Sequence, residues 1–109
     1  MSYPTLAERK RAKVSRMEAA LEALAAELTA YAREHGGRYV LFGSAARGEL
    51  RHDSDVDIMV DFPADAGWNP AEFAEERASA HELKPDIHLL TMSSPRLRER
   101  VAAKGRVLG

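Results

Sequence analysis

A few residues stand out by type and spacing. Gly43-Ser44 is followed, after ten intervening residues, by Asp55-Val56-Asp57, and Asp86 opens a later apolar run. Carboxylates two apart on an extended chain point to the same face. Held a few ångströms apart they repel unless cations lie between them. Oxygen-only ligands favour a hard ion such as Mg²⁺, which keeps waters and binds alongside phosphates. With Asp86 brought to the same edge, three carboxylates can hold two metals, the clamp that steadies attacking and leaving oxygens in a phosphoryl transfer. Gly43-Ser44, at a strand end entering a short helix, supplies the other half. Glycine lets a phosphate approach the backbone, turn amides point at it, and the Ser44 hydroxyl adds a donor. Arg47, one turn later, reads equally as a phosphate contact or as an ion pair with Glu49 or the acidic strand.

These positions need elements to hold them. Thr5 and Glu8 have capping-box spacing. Val14, Met17, Leu21, Leu24, Leu28 and Tyr31 then recur at steps of three and four, the period of one helical face, until Gly36-Gly37. Such a helix spans ~45 Å, so either it breaks or its basic first turns project; its stripe reads as core or as a partner seam. Tyr39 to Phe42 is a short buried strand. Val56, Ile58, Val60 and Phe62 alternate with Asp55, Asp57, Met59 and Asp61, which predicts a strand with one apolar and one acidic face. Pro63 to Trp68 is a loop. Asn69-Pro70 starts a helix, with Asn69 as its cap, that ends before Pro85. Residues 86–90 form a third strand, and Ser94-Pro95 opens a last helix ending near Gly105. The expected class is α/β (α+β): a small mixed sheet flanked by helices, with a long N-terminal helix. The chain reads as one domain over residues 1–109, with the helix in 1–35 and a catalytic core in 38–108.

Composition narrows the setting. The 109 residues, 45% hydrophobic and 30% charged, suffice for one core. The absence of cysteine removes disulfides and thiolate chemistry. The start, MSYPTLAERKRAK, has no apolar leader, and no run approaches the ~20 apolar residues of a membrane span; a cytoplasmic protein without membrane contact is expected. Net charge is only −1, yet the signs segregate. Residues 49–76 carry nine carboxylates and one basic residue, Arg51, while residues 8–16 carry five basic residues against Glu8 alone. Residues 96–106 are basic as well. That is a poor footprint for duplex DNA and suits a cation-gathering centre with basic flanks that meet something anionic.

The stretch GSAARGELRHDSDVDIMV resembles the GSx10DxD signature of the polymerase-beta nucleotidyltransferase superfamily. More narrowly, residues 35–108, closing on PRLRERVAAKGRVL, are similar to the small minimal nucleotidyltransferases (MNT). Members of that family pair as antitoxins with HEPN-domain toxins. The resemblance implies the nucleotidyltransferase fold, Asp55 and Asp57 as ligands of two Mg²⁺ ions, and Asp86 completing the catalytic metal and helping to deprotonate the attacking hydroxyl. It implies Gly43 and Ser44 as holders of the β- and γ-phosphates of ATP. The reaction implied is in-line attack on the α-phosphate with pyrophosphate leaving, AMP passing to a tyrosine hydroxyl of a cognate HEPN toxin. Two departures stand out: His52 occupies a position often held by proline, and the N-terminal helix is longer and more basic than usual.

Alternatives stay open at this level. The chain could neutralise a toxin by occlusion, or transfer to a small molecule or RNA; RNA contact would run through the basic segments. It could assemble with copies of itself or with the toxin. Among single residues, His88 shares a strand face with Asp86 and reads first as a rim or core histidine, with a metal or proton role at the site as the second reading. Asp61 reads as solvated, Trp68 as an aromatic capping the core or, second, stacking on a base or a partner, Lys84 as a solvated loop lysine before a phosphate contact, and His35 and His81 as plain surface residues.

Overall fold

The computed structural model describes residues 2–109. The first helix, α1, runs unbroken over Leu6–His35. Its capping box is complete: the Glu8 amide donates to Thr5 Oγ1 at 3.1 Å, and the Thr5 amide donates to Glu8 Oε2 at 3.3 Å. Gly36 ends it in the left-handed region, at φ 73°. From Met17 onward the stripe of Met17, Leu21, Leu24 and Leu28 is buried. The earlier turns are exposed but for the half-buried Val14. The helix therefore does not break; its basic first turns project, and the molecule measures 57 × 27 × 17 Å.

Strand β1 (Arg38–Phe42) leads through Gly43 into the four-residue helix α2 (Ser44–Arg47), and β2 follows over Val56–Asp61. A short 3₁₀ turn, Ala64–Ala66, lies in the loop expected there. Helix α3 spans Asn69–Ala80, β3 Pro85–Leu89, and α4 Pro95–Lys104 with the Ser94 hydroxyl accepting from the Leu97 amide. Asn69 does not cap α3. Trp68 holds the cap position with helical φ and ψ, and Asn69 already belongs to the first turn. A fourth strand, β4 (Arg106–Leu108), comes after α4 and pairs antiparallel with β1. Three residues after a helix carry too little periodicity to be read as a strand; β1 recruits them by leaving an edge open.

The sheet order is β3-β2-β1-β4, with β2 and β3 parallel and the other pairs antiparallel. One face (Tyr39, Leu41, Val56, Ile58, Val60 and Leu108) joins α1 and α3 in the main core. Tyr39 is fully buried, and its hydroxyl donates to the Pro70 carbonyl at 2.7 Å, which ties β1 to the start of α3. The second face is not uniformly acidic. Met59 is fully buried with Val40, Val101, Phe42, Leu90 and Leu97 beneath α4. Asp61 is not free in solvent either; it accepts from Arg38 Nε at 2.7 Å. Methionine 59 thus splits the second face, leaving an open acidic patch where β2 and β3 begin.

Candidate active site

That patch is assembled by register. In the parallel β2–β3 pair Asp57 lies opposite Asp86, and Met59 opposite His88. Because residues two apart share a face, Asp57, Asp86 and His88 converge, and one ligand atom from each lies within 4.8 Å of the others. His88 Nε2 stands 3.2 Å from Asp86 Oδ2 and 3.8 Å from Asp57 Oδ1. The Phe42 ring backs it edge-on, with centroids 5.1 Å apart. Nε2 itself is buried and has no hydrogen-bond partner among the described residues, so the approach to Asp86 is close without being aligned as a bond.

Asp57 is held above the ordinary carboxylate range. Burial is the main cause, the Asp86 carboxyl alongside adds to it, His88 opposes, and the charge of Asp55 contributes further. Two carboxylates and an orphaned imidazole nitrogen, in a place where a carboxylate resists ionising alone, form a donor set that fits a divalent cation. Asp55 precedes β2 rather than lying on it; it is exposed and stands outside the three-residue cluster while still contributing its charge. The loop before it is closed locally, with the Arg51 amide donating to Ser54 Oγ at 2.8 Å and the Ser54 amide to the Arg51 carbonyl at 3.0 Å.

Gly43 forms the other wall. Its φ is 66°, and a Cβ at that position would overlap the Asp57 carboxylate. Only glycine lets the chain leave β1, pass against Asp57 and turn into α2. Ser44 is half-buried at the start of that turn. Arg47 takes the ion-pair alternative: its Nε is 3.0 Å from Glu49 Oε2, on the exposed side of α2.

The remaining candidates sort clearly. Lys84 is exposed, and its carbonyl accepts from the Val56 amide at 2.8 Å, fastening the entry of β2 to that of β3. Trp68 does not cap the core; it is 62% exposed. His35 stacks on Tyr31, and His81 bonds Glu27, which Arg77 Nε also reaches at 2.7 Å, so this group pins α3 to α1. His88 is the residue whose place at the site the sequence understated, and its signal was the two-residue step from Asp86.

Comparison with known proteins settles the family. The model of the nucleotidyltransferase domain matches residues 21–108. The chain belongs to the nucleotidyltransferase domain family. It is 28% identical to a structure assigned to the minimal nucleotidyltransferases, over 85% of this chain and 93% of that one, with a TM-score of 0.65. A mutant MntA–HpeT toxin–antitoxin structure is 25% identical over 72% of this chain and 66% of that one, at TM-score 0.51. A toxin–antitoxin structure with AMP-PNP is 27% identical over 84% and 72%, at 0.53. No curated protein matches the chain significantly. The four-stranded sheet, its flanking helices and the long first helix are those of the nucleotidyltransferase fold. Among the described residues no helix is long and apolar enough to cross a membrane.

Proposed function

We propose that this nucleotidyltransferase is an antitoxin that transfers AMP from ATP to a hydroxyl, a tyrosine of a cognate HEPN toxin, in the cytoplasm and with Mg²⁺. The observation that carries the reading is the in-register pairing of Asp57 with Asp86 against the side-chain-free Gly43 turn, which sets a donor set suited to a cation beside the turn that leads into Ser44. The similarity to toxin–antitoxin structures, one of them holding AMP-PNP, supports the partner class and the nucleotide. In this reading Asp55, Asp57 and Asp86 hold two divalent cations, which would neutralise phosphate charge at the reacting centre. Gly43 and Ser44 receive the β- and γ-phosphates. Asp86, exposed at the edge strand β3, faces the incoming hydroxyl and accepts its proton. The oxygen attacks the α-phosphorus, the bond to the β-phosphate oxygen breaks, and pyrophosphate leaves. Arg47, engaged by Glu49, reaches a phosphate only by exchanging partners.

One feature favours binding beside catalysis. The first turns of α1 project with Arg9, Lys10, Arg11, Lys13 and Arg16 exposed, a surface suited to an anionic partner. The test is the intact mass of the HEPN partner after incubation with ATP and Mg²⁺, with Asp57→Asn as control. A gain of one or more AMP units, lost in the control, is expected. No gain with a stable complex would replace transfer by occlusion, and no gain without a complex would send the search to a small-molecule or RNA acceptor.

A further inference from the structure

We propose that His88 ligates, through Nε2, the divalent cation held by Asp57 and Asp86, making the centre a mixed nitrogen–oxygen site that favours first-row transition ions such as Mn²⁺ over Mg²⁺. The inference rests on the cation-dependent reading above and adds a ligand to it. Three observations carry it. The Nε2 atom is buried and has no hydrogen-bond partner among the described residues, a state that costs free energy unless something fills it. It is not misdirected into apolar packing: it lies 3.2 Å and 3.8 Å from oxygens of two different carboxylates. Those separations suit ligands of one ion. Donors bonded at ~2.1 Å stand ~3.0 Å apart at adjacent octahedral corners and ~3.4 Å apart in a tetrahedron, so a small rotation of the Asp57 carboxylate suffices.

An ion pair between a protonated His88 and Asp86 would use the same atoms, yet the contact lacks hydrogen-bond alignment. One cation shared by the imidazole nitrogen and the two carboxylates accounts for both distances. The backing ring of Phe42 holds the imidazole from the other side, so the nitrogen is presented without a large loss of side-chain freedom. Imidazole shifts the preference of a carboxylate site away from Mg²⁺, which seeks oxygen and keeps its waters.

The probe is Mn²⁺ alone, added to the full chain without nucleotide and followed by electron paramagnetic resonance. Wild type is expected to bind Mn²⁺ and to show nitrogen hyperfine coupling in its pulsed spectrum. His88→Gln should remove that coupling and weaken Mn²⁺ binding at least about tenfold, since even partners behind a ligand are worth 10–100-fold. Its Mg²⁺ affinity should fall less. His88→Phe, which keeps a ring against Phe42, must behave alike and guards against loss of fold. A wild-type spectrum without nitrogen coupling, with Mn²⁺ binding that Asp57→Asn abolishes, would overturn ligation by His88 and leave the carboxylate centre standing. Mn²⁺ binding untouched by Asp57→Asn would overturn both.

Discussion

The two faces of one sheet are built to opposite ends. The face against α1 and α3 is closed: Tyr39, Leu41, Val56, Ile58 and Leu24 and Leu28 of the first helix have essentially no exposed surface. The opposite face is covered only where α4 lies over Met59 and Val40, and beyond that cover stand Asp57, Asp86 and His88. Alternation along β2 and β3 places an apolar side chain behind every functional one, so the same strands supply both. The main core lies on one face, and the candidate site shares the other with the small cluster beneath α4. Helix α4, ten residues against thirty in α1, packs on Met59 and Val40 through Val101 and Leu97.

That division breaks most visibly under paired substitutions. Asp57→Asn should lower nucleotidyl transfer by about a hundred- to a thousandfold, the range seen when a charge-stabilising group is removed. It should leave the fold intact and make the metal-free protein no less stable, because burial and the neighbouring carboxyl already disfavour the Asp57 charge. Addition of divalent cation should raise the melting temperature of wild type and not of the variant. Leu28→Ala is the converse. It removes a fully buried side chain of the closed face and should cost about 2–5 kcal/mol in denaturant unfolding, while transfer per folded molecule stays near wild type. Equal losses of both quantities in either variant would refute the separation of faces.

A smaller effect sharpens the boundary inside the open face. Ser44→Ala should weaken triphosphate binding about five- to tenfold, the loss of one hydrogen bond of about 1 kcal/mol. Cation binding without nucleotide should be unchanged, since Ser44 is not one of the clustered donors Asp57, Asp86 and His88. Titration calorimetry with AMP-PNP and with Mn²⁺ separates the two.

The sequence made the closed face and the carboxylates of the candidate site legible for different reasons. The helix stripe from Met17 to Leu28 is periodic over about three turns, and the Thr5–Glu8 box is a local hydrogen-bond pattern, so both follow from near neighbours alone. Asp57 and Asp86 were readable because each stands near the start of an apolar run, yet their meeting depends on a parallel register that no local pattern encodes. What escaped was non-local. β4 exists because β1 has a free edge. Met59 is buried because α4 returns over it, and Trp68 is exposed because the loop carries it away from the core. His88 was visible on the right face, but its orphaned nitrogen appears only once Phe42 and both carboxylates surround it.

The smallest effect belongs to the closed face. Glu27 on α1 accepts from His81 and from Arg77 Nε of α3, joining the two helices that cover the sheet. The His81 bond, and after it the Arg77 bond and both positive charges, hold the Glu27 carboxyl below its ordinary value of 4.5 against some desolvation. A carboxyl whose pKa is depressed by folding releases its proton more readily in the native state, so the unfolded chain binds more protons between the two pKa values. Stability from this group is therefore complete above about pH 4.5 and is lost as pH falls through the depressed value. The group is about a third exposed, so Glu27→Gln should cost about 1 kcal/mol or less at neutral pH. The variant and wild type should converge in stability as the pH drops below 4.5, read by urea midpoints across the acid range. Transfer at neutral pH should not change, because the staple lies behind the sheet and the chemistry in front of it. A variant that lost transfer while keeping its stability would show that α1 and α3 reach through the sheet to position Asp57, and the two faces would not be independent.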